Sequence, residues 1–279
     1  MLHLYHQTNL ECSRLITQRY STSFSMGIRA FDKEFRDPIY AIYGFVRFAD
    51  EIVDTFHDHD KKMLLDEFRE DTYKAISRGI SLNPVLHSFQ GVVNEYQIDH
   101  ELIDAFLESM EMDLYKSVYE SKVLYDKYIY GSAEVVGLMC LQVFCKNDRS
   151  LYEDLKAGAR SLGAAFQKVN FLRDMTSDME ERGRVYFPGI DFATFDEQSK
   201  MEIVNDIQRD FDDALVAIRQ LPSGARRGVY LAYIYYLKLF KKIEQAPIQM
   251  MLTQRIRVPD RQKALLLGRT VFQNMFGLL

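Results

Sequence analysis

The chain has 279 residues, 47% of them hydrophobic, with 14 Gly and 6 Pro, enough to bury a large core. A formal net charge of −5 leaves no global basic field for a nucleic-acid partner. Cys12, Cys140 and Cys145 show neither C-x-x-C spacing nor an even count, so free thiols in a reducing cytoplasm are expected.

In chain order, the first stretch, MLHLYHQTNLECSR, has no basic region followed by an apolar run, and no secretory leader is expected. In YSTSF, Ser21 and Ser23 fit either a helix cap or a phosphate contact. Asp37-Pro38 predicts a helix start, opening PIYAIYGFVRFADEIVDTF, and the HDHD run from His57 to Asp60 reads as its polar end. Gly79 fits a helix C-terminus, and Asn83-Pro84 opens another helix. Asp99 opens the next, through about Ser117, with Glu108, Glu111 and Asp113 expected to decorate its surface. The longest apolar runs, Val135–Cys145 and Val229–Tyr236, are short of the roughly 20 residues that span a bilayer. Lys146–Ser150 is a short polar break, and Arg182–Phe192 reads as a loop. Thr194-x-x-Glu197 has capping-box spacing before an amphipathic stretch to Leu221. Pro222 and Gly224 break the chain before YLAYIYYLKLFKKIEQ. No alternating run bounded by hairpin turns appears. The expectation is one all-α domain over residues 1–279, with helices around a central cavity.

Two acidic faces carry the chemistry. Asp50 and Asp54 lie four apart, with Arg47 one turn before Asp50; Asn170, Asp174 and Asp178 share a second face, with Gln167 one turn earlier and Arg173 alongside. Carboxylates and an amide are hard oxygen donors of the kind magnesium takes. Two such faces suit a diphosphate whose charge is neutralised by divalent ions, and arginines offer its oxygens bidentate bonds. Ionising the carbon–oxygen bond leaves a carbocation, which aromatic faces can steady once water is excluded. The sequence holds its own control: Asp206 and Asp210 repeat the spacing on an ordinary amphipathic helix and are expected to be solvated charge. Tyr128 and Tyr130 read as core packing.

YSTSF, YGFVRFADEIVD, YIYGSAEVVGLM, AFQKVNFLRDMTSD and RGRVYFP together resemble the squalene/phytoene synthase family, from about Tyr20 to Arg257, and look most like its bacterial phytoene synthases. The resemblance implies the all-helical isoprenoid synthase fold and head-to-head condensation of two geranylgeranyl diphosphates, through prephytoene diphosphate, to phytoene. It implies Mg2+ or Mn2+ held by Asp50, Asp54, Asn170, Asp174 and Asp178, with no nicotinamide expected. Ser21, Ser23, Arg47 and Arg173 match phosphate-contacting positions; Phe24, Tyr43, Tyr128 and Gln167 match positions near the reacting groups; Tyr236 and Arg255 match a tyrosine and a phosphate-binding arginine near the C-terminus. Prenyl diphosphates are the implied partners, and peripheral docking on a membrane would serve release of a water-insoluble product. Alternatives are a squalene or dehydrosqualene synthase acting on farnesyl diphosphate, and a non-catalytic binding protein on the same scaffold. The sequence departs from the family at Ser132 and Glu134, where Val and Gly are usual, and at Thr22, where Lys is usual. Glu134 either narrows the cavity, points away or alters the chain length accepted.

Overall fold

The structure, a computed structural model, describes residues 1–115, 118–119, 121–182, 186–189, 195–253 and 255–256, without the side chains of 177 and 179–182. The helices in chain order are α1 (Leu2–Tyr20), α2 (Thr22–Arg29), α3 (Lys33–Asp54), α4 (Lys61–Arg78), α5 (Pro84–Tyr96), α6 (His100–Tyr115) and α7 (Lys122–Ile129). A π-helical turn, Tyr130–Glu134, joins α7 to α8 (Val135–Cys145). Then come α9 (Arg149–Arg182), α10 (Glu197–Gln220), α11 (Ser223–Gln245) and the single turn α12 (Ile248–Met251).

Several starts and stops are set by the residues expected to set them. Asn83 Oδ1 accepts from the amides of Val85 and Leu86, and Pro84 needs no partner at the first position of α5. Gly79 closes α4 at φ 68°. Asp60, the last residue of the polar HDHD break, caps α4 by accepting from Met63 N–H at 3.0 Å.

Three expectations need correction. α3 begins at Lys33, not at Pro38, which lies inside the helix. Asp37 does not cap; it pairs with Arg14 at 2.7 Å. Pro38 is early enough in the helix that its missing N–H removes one bond only, while Phe35, at 2% exposure, anchors the first turn in the core. α10 is capped by Asp196, whose side chain accepts from Ser199 N–H, so Glu197 is its first residue; Thr194 lies outside the described residues. Finally, α7, the π turn and α8 run on as one 24-residue segment, Lys122–Cys145, long and apolar enough to cross a membrane. Two-thirds of its most apolar window is buried inside the protein, so it reads as a core helix.

The buried side chains form two clusters. One gathers α3, α4, α5, α6 and α8 around Phe45, whose ring stacks on Phe89 at 3.9 Å and touches Phe68 and Phe106. The other gathers α7, α9, α10 and α11 around Val169, Leu172, Ile207, Phe211 and Phe240. The π turn is wedged between helices. A Cβ on Gly131 would meet Ala105 O of α6 at 2.5 Å, and one on Gly163 of α9 would meet Ala133 O at 2.6 Å. Both crossings need a residue without a side chain.

Candidate functional site

α3 and α9 carry the two acidic faces, one from each core cluster. At 100° per residue, Gln167, Asn170, Asp174 and Asp178 fall within about 80° of arc on α9. Asp178 is 5% exposed, an ionisable group deep in the fold.

Asp174 lies between two guanidinium groups. Arg173 donates Nε to Oδ1 at 2.9 Å and Nη2 to Oδ2 at 2.5 Å. Arg255 reaches the same oxygens, at 2.6 Å to Oδ1 and 3.1 Å to Oδ2. Burial lowers the pKa of Arg173, but its bonds to Asp174 outweigh this and the group ends above its ordinary value. Thr176 Oγ1 donates to Met251 O at 3.0 Å, tying α12 to α9 four residues before Arg255.

On α3, Arg47 Nη1 lies 3.8 Å from Asp50 Oδ2, Nη2 bonds Glu51, and the guanidinium stacks 4.4 Å from the Tyr20 ring. Its Nε is buried with no acceptor among the described residues. Asp54, half-buried, is the last residue of α3.

Aromatic side chains join the two helices. Phe24 of α2 contacts Tyr43 of α3 at 5.8 Å, Tyr236 of α11 at 6.1 Å and Phe166 of α9 at 6.5 Å. Phe166 and Tyr236 stack at 3.9 Å, and Tyr236 Oη donates to Asn170 Oδ1 at 3.4 Å. Burial lifts the Tyr43 phenol to about 12, with Asp50 and Tyr236 adding to it and Arg47 and a hydrogen bond with Ser21 opposing. Ser21 also caps α2, accepting from Phe24 N–H at 3.2 Å, so the cap reading of this serine is met. Ser23 is half-buried in the first turn of α2. Ser21, Phe24, Tyr43, Arg47, Asp50, Asn170 and Tyr236 thus form one linked constellation, with Arg173, Asp174 and Arg255 continuing it along α9.

Tyr128 belongs to a separate, buried aromatic group. Its hydroxyl donates to Asp113 Oδ2 at 2.8 Å, and its ring lies 6.0 Å from Phe171, the residue after Asn170. Asp113 is therefore not surface decoration. Gln167 Nε2 is 3.5 Å from Ser132 Oγ. Glu134 turns to α9, where Arg160 Nε donates to it at 2.6 Å while the Arg160 guanidinium lies 5.3 Å from the Tyr130 ring.

The Asp206/Asp210 pair is not merely solvated. Lys168, 8% exposed, donates to both carboxylates, at 2.5 and 2.7 Å. Sequence reading also missed Glu51, Phe166 and Tyr20. Phe166 carried a signal, since it sits four residues before Asn170 on the shoulder of the acidic face.

The donor set of Asp50, Asp54, Asn170, Asp174 and Asp178 is all hard oxygen, which fits Mg2+ or Mn2+. Among the described residues, no three acids, histidines or cysteines cluster closely enough to cage an ion alone. Magnesium is commonly held by one or two carboxylates plus substrate phosphates, and the buried Nε of Arg47 offers such a phosphate an unused donor. An open groove of about 700 Å3, lined by Arg69, Tyr73 and His100 among others, shares no residue with this constellation.

Comparison with solved structures fixes the fold. A dehydrosqualene synthase superposes with a TM-score of 0.82 over 97% of this chain and 98% of the other, at 20% identity. A squalene synthase of Alicyclobacillus acidocaldarius superposes at 0.76 over 87% and 95%, also at 20% identity. The fold is the all-α isoprenoid synthase fold. A model of the squalene/phytoene synthase family matches residues 17–262, and the chain belongs to that family. Relatives include phytoene synthase 1, chloroplastic, of Arabidopsis thaliana, 30% identical over 82% of this chain and 58% of that one. The phytoene synthase of Arthrospira platensis is 28% identical over 92% of this chain and 90% of its own. The chain spans about three-fifths of that Arabidopsis relative and most of the Arthrospira one.

Proposed function

We propose that the protein is a phytoene synthase, a single all-helical prenyl transferase that joins two geranylgeranyl diphosphates head to head. The observation that carries this is the aromatic bridge of Phe24, Tyr43, Phe166 and Tyr236, which links Asp50 on one acidic helix to Asn170 on the other. Diphosphate binding falls to Arg47, Arg173, Arg255, Ser21 and Ser23, and Asp50, Asp54, Asn170, Asp174 and Asp178 would hold divalent ions against it. Bound magnesium or manganese would neutralise the leaving diphosphate. The residues do the rest. Asp174, held between Arg173 and Arg255, gathers cationic donors where diphosphate charge arrives. Gln167, Phe24, Tyr43 and Tyr236 would lie near the reacting groups, with Tyr128 joining them as the resemblance implies, and electron-rich ring faces would steady the allylic cation while excluding water.

The test is an incubation of purified protein with Mg2+ and geranylgeranyl diphosphate, followed by lipid extraction. A C40 hydrocarbon with no nicotinamide added is the expected product, and its absence overturns the assignment. A second reading, farnesyl diphosphate as substrate, turns on Ser132 and Glu134, which stand at the π turn where Val and Gly are usual in the family. A C30 hydrocarbon from the parallel farnesyl incubation, with and without NADPH, decides it.

A further inference from the structure

Arg47 stands between two carboxylates on α3. At 100° per residue, Asp50 falls about 60° to one side of it and Glu51 about 40° to the other. The two acids are not equivalent. Asp50 Oδ2 is 3.8 Å from Nη1, and its side chain is 34% exposed. Glu51 pairs with Nη2, and its side chain is 14% exposed. Successive helical residues do not face each other, so Glu51 is turned away from the edge that Asp50 and Asp54 share. All three acids are described, and they do not draw together into a cage for an ion. Glu51 therefore serves the arginine and stands apart from the metal-binding oxygens.

A second element completes the grip. Tyr20 is the last residue of α1, and Arg47 Cζ lies 4.4 Å from the centroid of its ring, so one face of the guanidinium is covered. A planar group with a ring on its face and a carboxylate on one edge has lost both tilt and rotation. Nε is left without a partner, and Nη1 lies toward Asp50. The Arg47 side chain is 26% exposed on the same face as Asp50, so an anion held against Asp50 can reach it.

We propose that Glu51 and Tyr20 are positioning residues that hold Arg47 in place for the diphosphate of the substrate. The inference rests on the prenyl condensation proposed above. A loose arginine samples many rotamers, and fixing such a side chain on binding costs about two- to tenfold in affinity. Here Glu51 and Tyr20 have fixed it before the ligand arrives. Glu51 also repels diphosphate by its charge. Its pairing with Arg47 offsets that charge, so orientation decides the sign.

The experiment is calorimetric titration of inorganic pyrophosphate into the full-length protein in excess Mg2+. Glu51→Ala should weaken pyrophosphate about five- to tenfold. Glu51→Gln should weaken it less than about threefold, because its amide oxygen still accepts from Nη2. Tyr20→Leu should weaken it about two- to threefold, and Tyr20→Phe should match wild type. Adding Glu51→Ala to Arg47→Ala should cause no further loss, since both remove one contact. Metal ligation or general structural support by Glu51 would still act with Arg47 absent, so this cycle separates them from positioning. Pyrophosphate bound by Glu51→Ala or by Arg47→Ala as tightly as by wild type, or a further loss in the double variant, overturns the inference and leaves the condensation intact. A wild-type protein that binds no pyrophosphate overturns the diphosphate site and the inference with it. If Glu51→Ala does not fold, Tyr20→Leu decides: affinity equal to wild type overturns the clamp.

Discussion

Asp174 is gripped by Arg173 and Arg255 through both of its oxygens, and this grip sets what its removal does. Asp174→Ala leaves two cations without their anion at the place where diphosphate should bind. Turnover should fall by at least about 10³-fold, while far-UV circular dichroism stays unchanged, because a partly exposed carboxylate contributes little to folding beyond these pairs. Retained activity would remove Asp174 from the metal set. Asp210 makes a different prediction. Burial, opposed by Lys168, raises its carboxyl from 3.8 to about 6. Between those values the folded chain binds more protons than the unfolded one, so this group's contribution to stability falls as pH rises from about 4 to 6. Lys168, raised above its ordinary value despite burial, contributes throughout that window and loses its contribution only in alkali. Asp210→Asn should therefore flatten the pH dependence between 4 and 6 in urea titrations. A curve as steep as wild type would show that another group carries it.

At the scale of elements, the crossing of α9 over the π turn is a tight joint made against backbone atoms. Gly163→Ala would drive a methyl to 2.6 Å from Ala133 O and 3.0 Å from Glu134 Cα, both backbone atoms that cannot swing aside. Overpacking of this kind costs about 1–3 kcal/mol, and thermal melts should show a fall of several degrees. Gly91, with nothing within 4 Å of its added Cβ, is the control: Gly91→Ala should hold or raise Tm through helix propensity, worth up to about 1 kcal/mol. The helices themselves were legible, since Asn83-Pro84, Gly79 and the 3.6-residue periodicity are local signals. Pro38 misled because proline marks a helix start only when nothing upstream anchors an earlier one, and Phe35 does. The acidic spacing on α3 and α9 was legible too. The tyrosine clasp on Asp113 and the Lys168 clasp on Asp206 and Asp210 were not, because each joins residues 6 to 42 positions apart through tertiary packing that no local pattern records.

For the whole molecule, the proposed ligand site draws on both core clusters, α3 from one and α9 with α11 from the other. A ligand that binds there should couple them. Mg2+ with a non-reacting prenyl diphosphate analogue should raise Tm by more than the two raise it separately. At about 100 times Kd the gain would be near 2.7 kcal/mol. Purely additive shifts would mean that metal and diphosphate do not share a site.

The π turn at Tyr130–Glu134 has an evolutionary consequence. A wide turn of this kind holds one residue more than an α-helical turn over the same stretch, while the helices on either side keep their facing. Loss of a single codon there would be absorbed by reversion to ordinary helical winding. The same loss within Val136–Cys145 would swing everything beyond it by about 100°, turning Leu138, Met139 or Phe144 outward. Deletion scanning of this segment should find its one tolerant spot in those five residues, marking where length variants among descendants of this gene can survive.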